Sequence, residues 1–222
     1  MTDPAAGAGE RVATPAIIVP GSLGVFGGTF DPIHHGHLAI AEEARESLGL
    51  ERVLFVPAAT SPFKADRTAT DAAHRLAMVE AAIAGNPAFA ASRLELDRPA
   101  PSYTVDTLAA LATDGTGPDA LWLILSSEAL AGLPRWHEPG RILDLARLAV
   151  VPRAGHDPLG PGWAREAFPG REDRFTFLSG PLLPISGSVV RRRAAAGRSV
   201  RYLVPDAVAR YIKMYGLYSN PA

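Results

Sequence analysis

The chain has 222 residues, a formal net charge of −1 and no cysteine. The missing cysteines exclude thiol catalysis, zinc–thiolate sites and disulfides. The near-zero net charge lacks the strong basic field that broad nucleic-acid binding needs, so we expect no nucleic-acid partner. No apolar run approaches the ~18–20 residues that cross a membrane, so we expect no membrane partner and a cytoplasmic location.

The first segment, residues 1–20, differs in composition from the rest of the chain. It contains acidic residues, prolines and glycines in place of the basic start and apolar run of a signal peptide. We therefore expect residues 1–20 to form a disordered tail. The length of the remainder is typical of one domain, which we expect to span residues 21–222.

Beyond residue 20, short apolar runs alternate with segments of helical spacing. The predicted strands are residues 23–26, 53–56, 92–96, 121–125, 148–151 and 175–178. The predicted helices are residues 35–48, 71–83, 104–111, 142–146, 188–196 and 206–214. Residues 154–172, rich in Gly and Pro, are predicted to be irregular.

This alternation predicts an α/β fold. Strands joined by right-handed helical crossovers form a Rossmann-like, doubly wound parallel sheet with helices on both faces. The last helices predict a small C-terminal helical portion at about residues 185–218. In such sheets ligands bind at the carboxyl ends of the strands, so the loops there are the first place to look for a site.

The loop after the first predicted strand reads Gly-Gly-Thr-Phe-Asp-Pro-Ile-His-His-Gly-His over residues 27–37. Its glycines allow close approach of the backbone to a ligand, and the start of the next helix supplies N–H donors that suit phosphate. The spacing matches neither the G-x-G-x-x-G fingerprint nor a Walker loop. The loop is therefore predicted to bind phosphate in another way.

Two histidines of this loop, His34 and His37, lie three residues apart and face the same side of a first helical turn. Two imidazoles there can donate hydrogen bonds to phosphate oxygens. A zinc pair is one alternative, although no third ligand is evident nearby and the acidic partner of H-E-x-x-H is missing. Ordinary surface or core histidines are another.

The same loop resembles the signature of the nucleotidyltransferase superfamily, whose hallmark is His-x-Gly-His. Residues 185–191, Ile-Ser-Gly-Ser-Val-Val-Arg, resemble the superfamily's Ile-Ser-Ser-Thr-x-x-Arg motif. The hydroxyls of Ser186 and Ser188 can cap a helix and contact phosphate, and the guanidinium of Arg191 suits phosphate oxygens. Without the motif, Arg191 would be read as part of a solvated basic helix face.

Three further stretches resemble the nicotinate-nucleotide adenylyltransferase family. They are Pro-Ser-Tyr-Thr-Val-Asp-Thr-Leu at 101–108, Leu-Pro-Arg-Trp-His at 133–137, and Tyr-Leu-Val-Pro-Asp at 202–206 followed by Tyr211 and Ile212. The resemblance runs from about residue 23 to residue 218. It implies transfer of the AMP part of ATP to nicotinate mononucleotide, with release of pyrophosphate.

Within this resemblance, His37, His34 and Arg191 are the implied catalytic residues. The implied ATP-binding residues are Gly27, Gly28, Thr29, Phe30, His34, His37, Lys64, Ser186, Ser188 and Arg191. The implied mononucleotide-binding residues are Thr104, Glu128, Trp136, His137 and Arg153. For Lys64 and Arg153 a plain surface position is an equal alternative. Mg²⁺ is expected to arrive with ATP, held by phosphates and water, without a dedicated metal site.

One segment departs from the family pattern. Ser126-Ser127-Glu128 stands where the family has Gly-x-Asp after the fourth strand. The serine adds a side chain where the backbone comes close to a ligand, and the glutamate extends the carboxylate by one methylene. The sequence leaves two alternative functions open: a nucleotidyltransferase with another acceptor (nicotinamide mononucleotide or phosphopantetheine), and a non-catalytic nucleotide-binding protein. Assembly into a homo-oligomer is a separate question that the sequence leaves open.

Overall fold

The structure, a computed structural model, describes residues 21–59, 70–99, 101–112, 117–155 and 159–219. The described residues contain six strands: β1 Leu23–Gly28, β2 Arg52–Pro57, β3 Phe89–Ala91, β4 Leu121–Ser126, β5 Arg147–Val151 and β6 Phe175–Phe177. They form one sheet in the order β3-β2-β1-β4-β5-β6, and every pairing is parallel. The order reverses between β1 and β4, which makes their carboxyl ends the switch point of the sheet.

Eight α-helices lie in the described ranges: α1 His35–Leu48, α2 Ala72–Ile83, α3 Thr104–Ala112, α4 Ser127–Gly132, α5 Pro139–Leu145, α6 Pro161–Ala167, α7 Gly187–Ala195 and α8 Asp206–Met214. Short 3₁₀ turns cover Leu133–Arg135 and Glu172–Arg174. The bounds of α1 and α8 are those predicted from the sequence. Gly49 ends α1 because its left-handed backbone, with φ 62°, turns the chain out of the helix.

Two apolar cores lie on opposite faces of the sheet because successive strand residues point to opposite sides. In β4, Trp122 and Ile124 belong to the core under α1, α2, α7 and α8. Leu121, Leu123 and Leu125 belong to the core under α3 and α5. Helices on both faces confirm the predicted doubly wound α/β fold, and α7 and α8 form its C-terminal helical portion.

Two sequence predictions about local structure were wrong, and one short helix was not predicted. The strand predicted at residues 92–96 is instead β3 at Phe89–Ala91, and the chain then turns, with Leu94 N–H donating to Ser92 Oγ at 3.1 Å. The segment predicted to be irregular contains α6, which begins at Pro161 because a proline fits the first helical position. The short helix α4 was not predicted, because six residues carry too little periodicity to be recognised.

The predicted tail and the lysine at position 64 lie outside the described residues. None of the helices in the described ranges is both long and apolar enough to span a bilayer. The C-terminal portion is joined to the first signature by a backbone hydrogen bond, in which His35 N–H donates to the Leu203 carbonyl at 3.0 Å. This contact holds the start of α1 at the switch point.

Candidate active site

A cavity of about 780 Å³ opens at the carboxyl ends of β1 and β4, within the size range that is usual for ligand pockets. The predicted ATP-binding residues that line it are Gly27, Gly28, Thr29, Phe30, His34, His37, Ser186, Ser188 and Arg191. The predicted mononucleotide-binding residues Thr104, Glu128, Trp136, His137 and Arg153 line it as well. The structure therefore brings together every predicted site residue that it describes.

The two histidines are aligned by the start of α1. His34 is the residue that caps the helix, and the rings of His34 and His37 stack with centroids 3.7 Å apart. The backbone N–H of His34 donates to Nδ1 of His37 at 3.2 Å. Because Nδ1 is an acceptor, a neutral His37 carries its proton on Nε2, which makes Nε2 a hydrogen-bond donor in the wall of the cavity.

His34 is held as a neutral imidazole. Its side chain is buried, and burial lowers its pKa to about 4, with the positive charges of Arg153 and His35 acting in the same direction. Among the described residues, its Nδ1 has no hydrogen-bond partner although the atom is buried.

The backbone around residues 27–30 is shaped to leave room for a ligand. A Cβ on Gly27 would meet no atom within 4 Å, so this position faces open space. A Cβ on Gly28 would lie 3.0 Å from the Phe30 ring, which folds back over the loop and packs edge-on against His37 at 5.1 Å. Phe30 adopts a left-handed backbone with φ 49°, which is unusual for an aromatic residue.

Arg191 reaches the same loop from α7. Its guanidinium donates to the backbone carbonyl of Asp31 and, at 2.9 Å, to Ser188 Oγ, while Ser186 caps the helix by accepting from Val189 N–H. Its Nη1 also lies 3.8 Å from the Asp31 carboxylate. The glycine that departs from the superfamily motif has a local reason, because a Cβ at Gly187 would lie 2.9 Å from the Asp31 carbonyl.

Aromatic side chains form one part of the cavity wall, which includes Tyr103, Trp136 and His137. The Tyr103 and His137 rings lie 4.3 Å apart, and Trp136 packs against the apolar core under α3 and α5. Thr104 begins α3 beside this wall. A flat apolar surface with hydroxyl and N–H groups around it can accommodate an aromatic ring that carries a polar substituent.

The departure at residues 126–128 has a clear local structure. Ser126 caps α4 by accepting from Ala129 N–H at 3.3 Å, and Ser127 Oγ accepts from Arg153 N–H at 3.2 Å. Glu128 forms an ion pair with the Arg153 guanidinium. Arg153 is therefore a paired residue of the cavity wall rather than an isolated surface arginine.

Several site residues were missed by sequence reasoning. Arg75 lies buried in the cavity wall, and its spacing from Val79 and Ile83 on the apolar stripe of α2 was the available signal. Glu95 is buried beside Thr107, which donates to it at 2.8 Å, and burial raises its pKa. Nothing in the local sequence pattern marks Glu95, because its burial depends on the fold.

A third missed element is the pair formed by Asp31 and Tyr218. The Tyr218 hydroxyl donates to the buried Asp31 carboxylate at 2.8 Å, and burial together with the Asp31 charge raises the pKa of Tyr218. The contact joins the last described segment of the chain to the loop after β1. No short-range pattern predicts a pair separated by 187 residues.

These features define a class of α/β nucleotidyltransferases. The family model described as cytidylyltransferase-like matches residues 25–193. The probable nicotinate-nucleotide adenylyltransferase of Roseiflexus sp. (strain RS-1) is 50% identical, covering 88% of this chain and 97% of that protein. Its counterpart from Thermomicrobium roseum is 48% identical, covering 88% and 91%. This chain belongs to the nicotinate-nucleotide adenylyltransferase family, as the sequence motifs predicted.

Solved structures agree with the fold. The Plasmodium falciparum nicotinic acid mononucleotide adenylyltransferase complexed with NaAD has a TM-score of 0.71 and 18% sequence identity, covering 88% of this chain and 96% of that one. A nicotinate-nucleotide adenylyltransferase structure from Vibrio parahaemolyticus, described as putative, has a TM-score of 0.62 at 14% identity, covering 90% and 96%. At these identities the likeness supports the fold alone.

The lowered pKa of His34 predicts a pH-dependent stability. Above pH 6.5 the imidazole is neutral in both folded and unfolded chains, and its contribution is fully present. As the pH falls from 6.5 towards about 4, the unfolded chain takes up a proton that the folded chain excludes. Stability is then lost, on the order of 3 kcal/mol for this one group. Urea unfolding at pH 7 and pH 4 measures the change.

The matched variant for this prediction is His34→Gln, which cannot titrate in this range. It should lose less stability than the wild-type protein over the same pH interval. Val190→Ala, a fully buried substitution, should lower stability equally at both pH values. Equal pH slopes for wild type and His34→Gln would contradict the assignment.

Proposed function

We propose that this chain joins nicotinate mononucleotide to the adenylyl group of ATP, giving nicotinate adenine dinucleotide and pyrophosphate. The observation that carries the proposal is the shared cavity, which is lined by His34, His37 and Arg191 and also by Thr104 and Trp136. Membership of the adenylyltransferase family supports the same reaction. The two groups of lining residues support a site that binds two substrates.

In this reaction a phosphate oxygen of the mononucleotide attacks the α-phosphorus of ATP. The bond from the α-phosphorus to the bridging oxygen breaks, and pyrophosphate leaves with the electron pair. The attacking phosphate is already ionised at neutral pH, so no strong general base is required. The protein has to bring two polyanions together, and positioning alone can lower a barrier by about 7–11 kcal/mol in favourable cases.

For the ATP half, we assign His37 Nε2–H to the α-phosphate, where negative charge develops in the transition state. The neutral His34 contacts the phosphates, and Arg191 holds the β- and γ-phosphates and the departing pyrophosphate. The hydroxyls of Ser186 and Ser188 lie at the start of α7 beside Arg191. This arrangement supports the proposed roles because each donor is held by a neighbour before the substrate arrives.

Four further residues, at the end of β1 and in the loop after it, complete the proposed ATP site. The backbone of Gly27 and Gly28 allows close approach of the nucleotide, and Thr29 and Phe30 continue the same wall. Lys64 remains a predicted phosphate contact outside the described residues. The order of these groups along the loop favours binding of the nucleotide across the start of α1.

For the mononucleotide half, we assign Trp136 to stacking on the nicotinate ring, and Thr104 and His137 to the ring carboxylate. Glu128 lies where the family has an aspartate that contacts a ribose. Arg153 complements the phosphate charge, and it exchanges part of its contact with Glu128 for the substrate when the mononucleotide binds. The direct Glu128–Arg153 ion pair supports this last role because it keeps both side chains at the cavity wall.

Mg²⁺ is proposed to enter with ATP, held by its phosphates and by water, where it offsets charge on the departing pyrophosphate. In the described part of the chain, no group of three or more His, Cys, Asp or Glu residues is placed to hold a metal ion. We further propose that residues 21–222 act as one domain in the cytoplasm, without a nucleic-acid partner.

The function is tested by measuring pyrophosphate and dinucleotide formation from ATP with three acceptors: nicotinate mononucleotide, nicotinamide mononucleotide and phosphopantetheine. We expect the highest kcat/KM with nicotinate mononucleotide. Preference for another acceptor would assign the chain to a different reaction of the superfamily. Nucleotide binding without turnover of any acceptor would reject catalysis.

Removal of the proposed transition-state donor should lower turnover strongly. His37→Ala is expected to reduce kcat by roughly a hundredfold or more, because one pre-aimed hydrogen bond of this kind contributes about 2.7–4 kcal/mol to catalysis. The control is His35→Ala, two residues away in the same helix and outside the cavity lining, which should keep nearly full turnover. Unchanged kcat in His37→Ala would refute the role.

Loss of the aromatic platform should affect one substrate selectively. Trp136→Ala is expected to raise the KM for nicotinate mononucleotide roughly 5- to 150-fold, since stacking contributes about 1–3 kcal/mol per ring, and to leave the KM for ATP nearly unchanged. Trp136→Phe keeps a ring and should retain most of the affinity. A selective loss of ATP affinity would contradict the assignment.

A further inference from the structure

Arg75 is the largest fully buried side chain of the described structure, with 2% of its surface exposed. It lies in the first turn of α2, on the same face as Val79 and Ile83, where the pattern otherwise places apolar residues. Burying a guanidinium requires acceptors for its N–H groups, because an unsatisfied buried charge is strongly destabilising. The acceptors that it uses indicate its role.

The Arg75 guanidinium donates to three backbone carbonyls from separate segments. Nη1 donates to Thr29 at 2.8 Å, Nε to Thr70 at 2.9 Å and Nη2 to Ala59 at 3.3 Å. Burial lowers the pKa of Arg75, and the nearby charges of Asp31 and Asp71 act in the opposite direction, so the group stays protonated at neutral pH. Only a planar group with several fixed donors can serve three such acceptors at once.

The Thr29 carbonyl belongs to the peptide unit that enters Phe30. Phe30 holds φ 49°, a left-handed conformation that costs a bulky residue on the order of 1–3 kcal/mol and persists only where the surroundings hold it. The hydrogen bond from Arg75 holds the peptide on one side of this residue. The burial of the Phe30 ring, which is 2% exposed, holds it on the other.

The Phe30 ring then contacts the ring of His37 edge-on, with centroids 5.1 Å apart and an interplanar angle of 81°. The His37 ring is also contacted by the rings of His34 and Phe26, with centroids 3.7 Å and 6.0 Å away, and its Nδ1 accepts from the His34 backbone N–H. The orientation of Nε2–H depends on these contacts together. A change in the Thr29–Phe30 peptide moves the Phe30 ring and so changes one of the contacts that orient His37.

We propose that Arg75 is a positioning residue for adenylyl transfer. It orients the His37 ring by fixing the Thr29 carbonyl and the left-handed conformation of Phe30. It acts through the loop and not by contact with the reacting atoms. The kinetic part of this inference rests on the proposed function, whereas the effect on His37 concerns the substrate-free protein.

The first test compares Arg75→Lys and Arg75→Met with Val79→Ala. Lysine keeps the charge but cannot serve three carbonyls, and methionine keeps an apolar shape without donors. Val79 lies one turn further along α2, is fully buried and is outside the cavity lining, so Val79→Ala destabilises the same helix without touching the loop. Thermal unfolding, kcat and both KM values are measured for each variant.

Both Arg75 variants should lower kcat by about tenfold to a hundredfold, as expected for a small misplacement of a catalytic group, and should change the KM for the mononucleotide less than about twofold. Val79→Ala should keep its kcat despite a lower unfolding temperature. If Val79→Ala loses as much kcat as Arg75→Met at equal thermal stability, the role is structural only and the proposal is overturned.

The second test measures the protonation of the two His37 ring nitrogens by ¹⁵N NMR of the substrate-free protein. The His37→Ala spectrum is the assignment control. The wild-type His37 ring should show protonated Nε2 and unprotonated Nδ1, and both Arg75 variants should shift these signals. Unchanged His37 signals would overturn the proposal. If the wild-type protein turns over no acceptor, the proposed function fails while this test still decides the role of Arg75.

A variant that leaves Arg75 intact covers the case in which Arg75→Met does not fold. Phe30→Leu removes the ring contact to His37, and it should reproduce the kcat loss and the shifted His37 signals. Because Arg75 and Phe30 act along one path, the losses in Phe30→Leu and Arg75→Lys should not add in the double variant. Fully additive losses would overturn the proposal.

Discussion

The backbone carbonyl of Asp31 accepts a hydrogen bond from the guanidinium of Arg191, which lies 160 residues further along the chain. This contact joins the loop after β1 to the start of α7, and Tyr218 holds the same loop through the Asp31 carboxylate at 2.8 Å. The close packing leaves no room for a side chain at Gly187. The rest of the site depends on this contact between Arg191 and Asp31, because it places residues 27–37 and residues 185–191 on one cavity.

The polar groups of the cavity wall have their charge or orientation fixed by neighbouring residues. His34 is kept neutral by burial, the Nδ1 of His37 is occupied by a backbone N–H, and Arg153 is paired with Glu128. Donors that are already oriented in a site of limited polarity need little reorganisation when charge develops, so they stabilise a transition state better than mobile groups. The protein therefore contributes geometry, and the reacting phosphates supply the nucleophile and the leaving group.

Local structure was predictable where a strong pattern coincided with a clear boundary. The bounds of α1 were correct because helical spacing ended at Gly49, and β4 was recognised from five consecutive apolar residues. The edge strand β3 was misplaced by three residues, since a three-residue strand at the edge of a sheet carries almost no periodic signal. The helix α6 was missed because Gly and Pro also occur where helices begin.

The sequence by itself determined the α/β class and the family, because these depend on short-range periodicity and on motifs that are contiguous in the chain. Only the tertiary structure decided that Arg75 supports Thr29, that Tyr218 holds Asp31, and that the Arg153 guanidinium is paired with Glu128. Each of these contacts joins residues that are far apart in sequence. Burial and hydrogen bonding between such residues exist only after the sheet and its helices have packed together.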